Sequence, residues 1–170
     1  MLKEALYTGK ILLFGEYGII QDSMGLSIPY HPYKGSLRFD EVRTDETDYS
    51  NAELLKFLSF LASEDNGVDA IFDLERLSAD LSSGMHFDSS IPQGYGVGSS
   101  GAIVAAIYDN YAKDRIEPDP NIGGEDLKKL KSIFGQMECY FHGKSSGLDP
   151  LICYLKLPIL IRSKNEMNTV

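Results

Sequence analysis

The hydrophobic positions of this chain change period several times along its length, and each change marks an element. From Leu6 to Ile20 apolar and β-branched residues run almost unbroken except at Gly9, Gly15 and Gly18. That pattern predicts a strand through Lys10 to Phe14, a tight turn at Gly15 to Gly18 and a short return. Met24 to Val42 keeps strand character and alternates with period two after Pro32, so a second hairpin packing on the first is expected. Arg43 to Asn51 is polar and acidic and reads as a solvated loop. Ala52 to Ala62 then carries Leu54, Leu55, Leu58, Leu61 and Ala62 on one helical stripe, closed by Asn66 and Gly67. Asp69 to Leu81 predicts a weaker helix, and Met85 to Ile91 a returning strand.

In the second half, Ala102 to Tyr111 is apolar or small almost all the way round, which predicts a helix buried on every side. Asp114 to Gly124, with Pro118 and Pro120, is a loop. Leu127, Leu130, Phe134, Met137 and Phe141 recur at alternating three- and four-residue spacings and form one continuous stripe, with Glu138 at its edge. Gly143 ends that helix, Ser145 or Ser146 can cap the next, and Asp149 falls in its first turn. Leu157 to Ile161 predicts a final strand, and the polar stretch from Ser163 to Val170 is expected to fray. The chain has no internal repeat and no low-complexity tract.

Composition adds limits. At 170 residues, 43% hydrophobic and 24% charged, the chain suits one globular domain with its own core. A formal net charge of −9 disfavours nucleic acid and anionic membrane surfaces as partners, so a small anionic ligand would need a local positive focus. Cys139 and Cys153 lack metal-like spacing and read as small buried apolar residues. No signal peptide or long apolar run is visible, which makes a reducing cytoplasm the expected location.

The chemistry concentrates between Ser89 and Tyr111. Gly94, Gly96, Gly98 and Gly101 let the backbone approach a ligand closely, Pro92 stiffens the approach, and Ser99 and Ser100 stand where the buried helix begins. A helix opening on such a loop points unpaired N–H groups and the positive end of its dipole at whatever fills it, so an anion belongs there. Outside this stretch three charges draw attention. Lys10 lies in an apolar strand, and the segment alone favours a side chain that snorkels to the surface over one that faces an anion. Glu138 reads as a solvated flank charge or a metal-holding carboxylate, and Asp149 as a partner of its helix dipole.

Three separated segments together resemble the GHMP kinases, the galactose, homoserine, mevalonate and phosphomevalonate kinase superfamily. They are Gly9-Lys-Ile-Leu-Leu-Phe-Gly-Glu16, Pro92-Gln-Gly-Tyr-Gly-Val-Gly-Ser-Ser-Gly-Ala102, and Glu138 with His142-Gly-Lys-Ser-Ser-Gly-Leu-Asp149. The second is similar to the family's phosphate loop almost residue for residue and lacks the Gly-Lys-Ser/Thr ending of a Walker loop. The mevalonate kinase branch is the most similar. The resemblance implies an α/β (α+β) fold like ribosomal protein S5, mostly antiparallel sheet packed with helices. It also implies transfer of the γ-phosphoryl group of ATP to a hydroxyl of a small, carboxylate-bearing substrate such as mevalonate, with Mg²⁺.

Carried over by position, Asp149 is implied as the base and Lys10 as its catalytic neighbour, Ser100 and Glu138 as Mg²⁺ ligands. Ser89, Gly94, Gly96, Val97, Gly98, Ser99 and Ser100 would contact nucleotide, and Glu16, Tyr17 and His142 would line the substrate. Two departures stand out: Tyr17 replaces the histidine that usually follows Gly-Glu in mevalonate kinases, and Gly101 replaces the usual alanine. The family's C-terminal domain is not represented in these residues, so the resemblance covers one domain and about half of the expected enzyme. The alternatives are a kinase for homoserine or a sugar, or a non-catalytic module that binds a partner or self-associates as a homo-oligomer through an uncovered apolar face.

Overall fold

The computed structural model describes residues 2–15, 24–163 and 166–170. The predicted short return after the first strand lies outside the described residues, as do Glu16 and Tyr17. Strand β1 (Tyr7–Phe14) pairs antiparallel with β2 (Gly25–Arg38), and it begins three residues before the predicted strand. On its other edge β2 pairs antiparallel with β3 (His86–Ser89) through its C-terminal part and with β4 (Ile159–Ser163) through its N-terminal part. Strand β5 (Glu166–Thr169) adds to β4, giving one antiparallel sheet from the five strands among the described residues.

Against this sheet pack α1 (Asp45–Leu61), α2 (Leu74–Ser82), α3 (Ser99–Tyr111), α4 (Gly124–His142) and α5 (Leu148–Leu155). The α+β architecture is the one expected. Helix α3 is its axis: Ala102, Val104, Ala105, Ala106, Ile107 and Tyr108 are all buried, so the prediction of a helix with no solvent face holds. Its alanines let β1 and α5 approach closely. Tyr108 meets Phe134 of α4 and Tyr154 of α5 edge to face, at ring separations of 5.0 and 5.3 Å.

Several local expectations are overturned, each for a visible reason. The segment from Met24 to Val42 holds one long strand, Gly25–Arg38, and not a hairpin. The β1 register jumps from Thr8 opposite Lys34 to Gly9 opposite Tyr30, so His31, Pro32 and Tyr33 form a bulge in which the proline forfeits no ladder bond. The expected loop at 43–51 is mostly the first turns of α1. Thr44 and Thr47 exchange side-chain-to-backbone hydrogen bonds in a capping box, and Asp45, Glu46 and Asp48 suit the positive end of the helix. The inward face of α1 is Asn51, Leu54, Phe57 and Leu61, and the predicted stripe residue Leu55 faces out.

The helix predicted over Asp69 to Leu81 breaks at Phe72 and Asp73. Phe72 is extended so that its ring can pack on Tyr108, the Asp73 N–H bonds Tyr111 O, and the Asp73 side chain then caps α2. At the other end the supposedly frayed tail pairs as β5. Met167 is buried, and the Thr169 hydroxyl donates to Pro120 O. Finally, Gly147 and not a serine is the N-cap of α5; the Ser145 hydroxyl donates to Glu138 and accepts the Gly147 N–H, and the Ser146 hydroxyl accepts the Leu148 N–H. No helix among the described residues is long and apolar enough to cross a membrane.

Candidate functional site

The loop between β3 and α3 takes its shape from three glycines. Gly94, Gly96 and Gly98 all have positive φ, at 80°, 68° and 86°. At Gly94 and Gly96 an added Cβ would meet nothing, so glycine is there for its backbone freedom. At Gly98 space matters as well, since a Cβ would lie 2.9 Å from Lys10 Cγ and 3.4 Å from Cys153 Sγ. The loop is fastened to the sheet where the Lys10 N–H donates to Val97 O at 2.9 Å. Gly98 is the N-cap of α3 and supplies no side-chain cap. The first N–H groups of α3 therefore face outward from a fixed loop with Ser99 and Ser100 beside them, an arrangement that favours an anion.

Lys10 does not snorkel. Its side chain is 11% exposed and its Nζ lies 2.9 Å from Asp149 Oδ2, so the expectation from the isolated segment is overturned by a partner more than a hundred residues away. Asp149, in the first turn of α5, keeps a third of its side chain open to solvent. The ammonium is thus covered while the carboxylate still has a free side. Gly101 explains how α5 comes so near: a Cβ there would lie 2.9 Å from both Asp149 C and Pro150 N. Helix α3 and the start of α5 touch backbone to backbone at this point.

Glu138 is no flank charge; it is 3% exposed on α4. The Ser100 hydroxyl donates to Glu138 Oε1 at 3.0 Å, and the Ser145 hydroxyl donates to Oε2. Since Ser100 spends its one hydrogen on Glu138, the His142 Nε2 at 3.0 Å from Ser100 Oγ is the donor in that contact. Burial raises the Glu138 carboxyl above its ordinary range, the bond from Ser145 pulls it down, and the charge of Asp149 pushes it up again. A buried carboxylate joined to a hydroxyl at a helix N-terminus is a donor set of hard oxygens. It suits Mg²⁺, which takes few protein ligands and completes its shell with water and phosphate. Among the described residues no group of three or more His, Cys, Asp or Glu could hold a metal ion by itself.

The remaining expected residues fall around this centre. Ser89, at the end of β3, is exposed, and its hydroxyl accepts the Ile91 N–H at 3.0 Å. It lines a cleft of about 620 Å³ that runs from Ser99 along β3 to the first turns of α1. Leu54, Phe57, Ile91 and Ile103 form part of its apolar floor, and Tyr49 stands exposed on its rim. Asp40, His86 and Tyr49 were not singled out from the sequence. The Thr44/Thr47 capping signal would have brought in Tyr49 by placing it on α1; His86 and Asp40 meet only through the β2–β3 pairing. Cys153 is buried, which pushes its thiol well above the ordinary range and leaves it an apolar filler behind Gly98.

Residues 54–156 match the family model described as GHMP kinases N terminal domain, more than half of the chain. No curated protein matches it.

Proposed function

The chain belongs to the GHMP kinase family through its N-terminal domain, and from that premise we propose that it carries the γ-phosphoryl group of ATP to a hydroxyl of a small molecule. The contact that carries the reading is Lys10 Nζ to Asp149 Oδ2 at 2.9 Å, beside a glycine loop that opens the buried helix. The phosphates would lie over the first turn of α3, held by backbone N–H groups and Ser99, with the base in the cleft beyond Ser89. The open side of Asp149 accepts the hydroxyl proton as the oxygen bonds to the γ-phosphorus and the bond to the ADP oxygen breaks. Lys10 orients that carboxylate and offsets the charge developing on the alkoxide. Ser100 and Glu138 would hold Mg²⁺, which supplies neutralisation of the phosphate charge.

We take mevalonate as the first acceptor to test, on the motif resemblance, with homoserine and sugars next; His142 beside Ser100, together with Glu16 and Tyr17, would contact it. Residues 1–170 are proposed as one nucleotide- and substrate-binding domain, working in the cytoplasm. The test is Mg·ATP-dependent phosphorylation of mevalonate, homoserine and galactose, by the chain alone and with a family C-terminal domain added. Asp149→Asn should lower kcat by roughly 10²- to 10⁴-fold while leaving ATP affinity within about twofold. An unchanged kcat would remove Asp149 as the base.

A further inference from the structure

His86 has a tautomer problem that a ligand would solve. Its side chain is 3% exposed in the wall of the 620 Å³ cleft. Its Nδ1 lies 3.4 Å from Gly84 O, and because a carbonyl only accepts, that contact assigns the ring hydrogen to Nδ1. In the neutral ring Nε2 is then a lone-pair acceptor. It has no hydrogen-bond partner among the described residues, and Asp40 Oδ2, another acceptor, lies 3.3 Å away. Two acceptors this close repel unless a donor lies between them.

The cation beside Asp40 does not supply one. Arg38 spends itself on the far side of Asp40, with Nε 3.3 Å from Oδ1, and on Asp88 at 2.6 Å. Asp45, Glu46 and Glu53 add only carboxylates to the rim. The Asp40 side chain is 39% exposed, on the segment after β2, and is free to turn aside and admit a group from the cleft. An amine bonded to an aromatic ring fits: it is neutral and carries two N–H donors, one for each acceptor. A keto oxygen at the same place would face two acceptors and be rejected.

We propose that His86 and Asp40 are specificity-determining residues that select a nucleobase bearing an exocyclic amine. This rests on the reading of the cleft as the base pocket. The experiment is calorimetric titration of the full chain with ATP and with ITP, which differ in amine against keto at one ring position and in lone pair against N–H at the adjacent ring nitrogen, and with CTP and UTP as a second such pair. ATP is expected to bind about tenfold or more tightly than ITP, the loss that follows from one hydrogen bond to a partly exposed acceptor. Asp40→Asn, an exposed substitution that leaves the core alone, gives the slot a donor and should bring the ATP:ITP ratio to about threefold or less by recovering ITP. His86→Phe should lower ATP affinity toward that of ITP.

Nitrogen-15 spectra of His86 should show Nε2 unprotonated in the free protein and shifted by ATP but not by ITP. Equal affinities for ATP and ITP, or a hydrogen on Nε2 in the free protein, would overturn the assignment and leave the kinase reading intact. Binding of none of the four nucleotides would overturn both.

Discussion

Gly101→Ala sets two quantities against each other. Alanine in place of glycine inside a helix is worth about 1 kcal/mol in propensity. Against that gain, the new Cβ would lie 2.9 Å from Asp149 C and from Pro150 N, both backbone atoms that cannot rotate away. Ordinary contact begins near 3.4 Å, so α5 must retreat by about half an ångström, and overpacking of this kind costs about 1–3 kcal/mol. The net is a loss of about 0–2 kcal/mol, which lowers Tm by up to about 4–8 °C for a chain of this size. The retreat also carries Asp149 away from Lys10. A misplacement of about 1 Å at a reacting group can cost 10²-fold, so half of that should lower kcat about tenfold. Thermal unfolding and steady-state kinetics on the purified variant measure both. A higher Tm with unchanged kcat would refute the argument, because it would mean that the α3–α5 contact has room for the alanine that related kinases carry.

Two further changes probe burial. In Glu138 the folded carboxyl is raised above the ordinary value of 4.5, chiefly by burial, so folding favours its protonated form more than the unfolded chain does. The stability this contributes is full below the ordinary value and is lost as pH rises through the folded one. Glu138→Gln should therefore flatten Tm against pH across that window and raise Tm at neutral pH in the absence of divalent cation; parallel Tm profiles for the two proteins would contradict it. Asn51, buried in α1, donates from Nδ2 to Leu81 O at 2.9 Å and to Met85 O at 2.6 Å. Asn51→Ala leaves Met85 O without its amide donor, while Leu81 O keeps the Gly84 N–H, and should cost about 1–3 kcal/mol in denaturant unfolding; a midpoint equal to wild type would show that water replaces the amide.

What could be read from the sequence was what rests on local periodicity. The buried helix from Ala102 to Tyr111 and the stripe from Leu127 to Phe141 were legible because their neighbours on the surface are neighbours in the chain. The first turns of α1 were not, since acidic residues suit both a solvated loop and a helix N-terminus, and only the Thr44/Thr47 exchange decides between them. Strand β5 was missed for a similar reason: Glu-Met-Asn-Thr has little strand propensity and is held by Met167 in the core and by pairing with β4. The site divides in the same way. The glycine loop announces itself by spacing, whereas Lys10 was misread because its partner arrives on α5 and no local pattern carries that fact.

The charge of the chain can now be set against its candidate ligand. With a net charge of −9 the whole-protein field repels a nucleotide triphosphate, and Lys10, buried in the cradle, is already matched by Asp149. On the proposed reading, the attraction for phosphate would come from the backbone of the loop, from the first turn of α3, and from a cation if Ser100 and Glu138 hold one. Oriented N–H groups keep their strength at short range and contribute little at distance, so such a site would bind phosphate only after close approach. The acidic rim of the neighbouring cleft acts in the same direction. It would repel the polyphosphate end of a nucleotide and tolerate a neutral base with donors at its edge, so on the proposed reading electrostatics would sort the two halves of the nucleotide before any specific hydrogen bond forms. Raising ionic strength should then strengthen the initial encounter with a nucleotide triphosphate, opposite to the behaviour of a site built from free lysines and arginines.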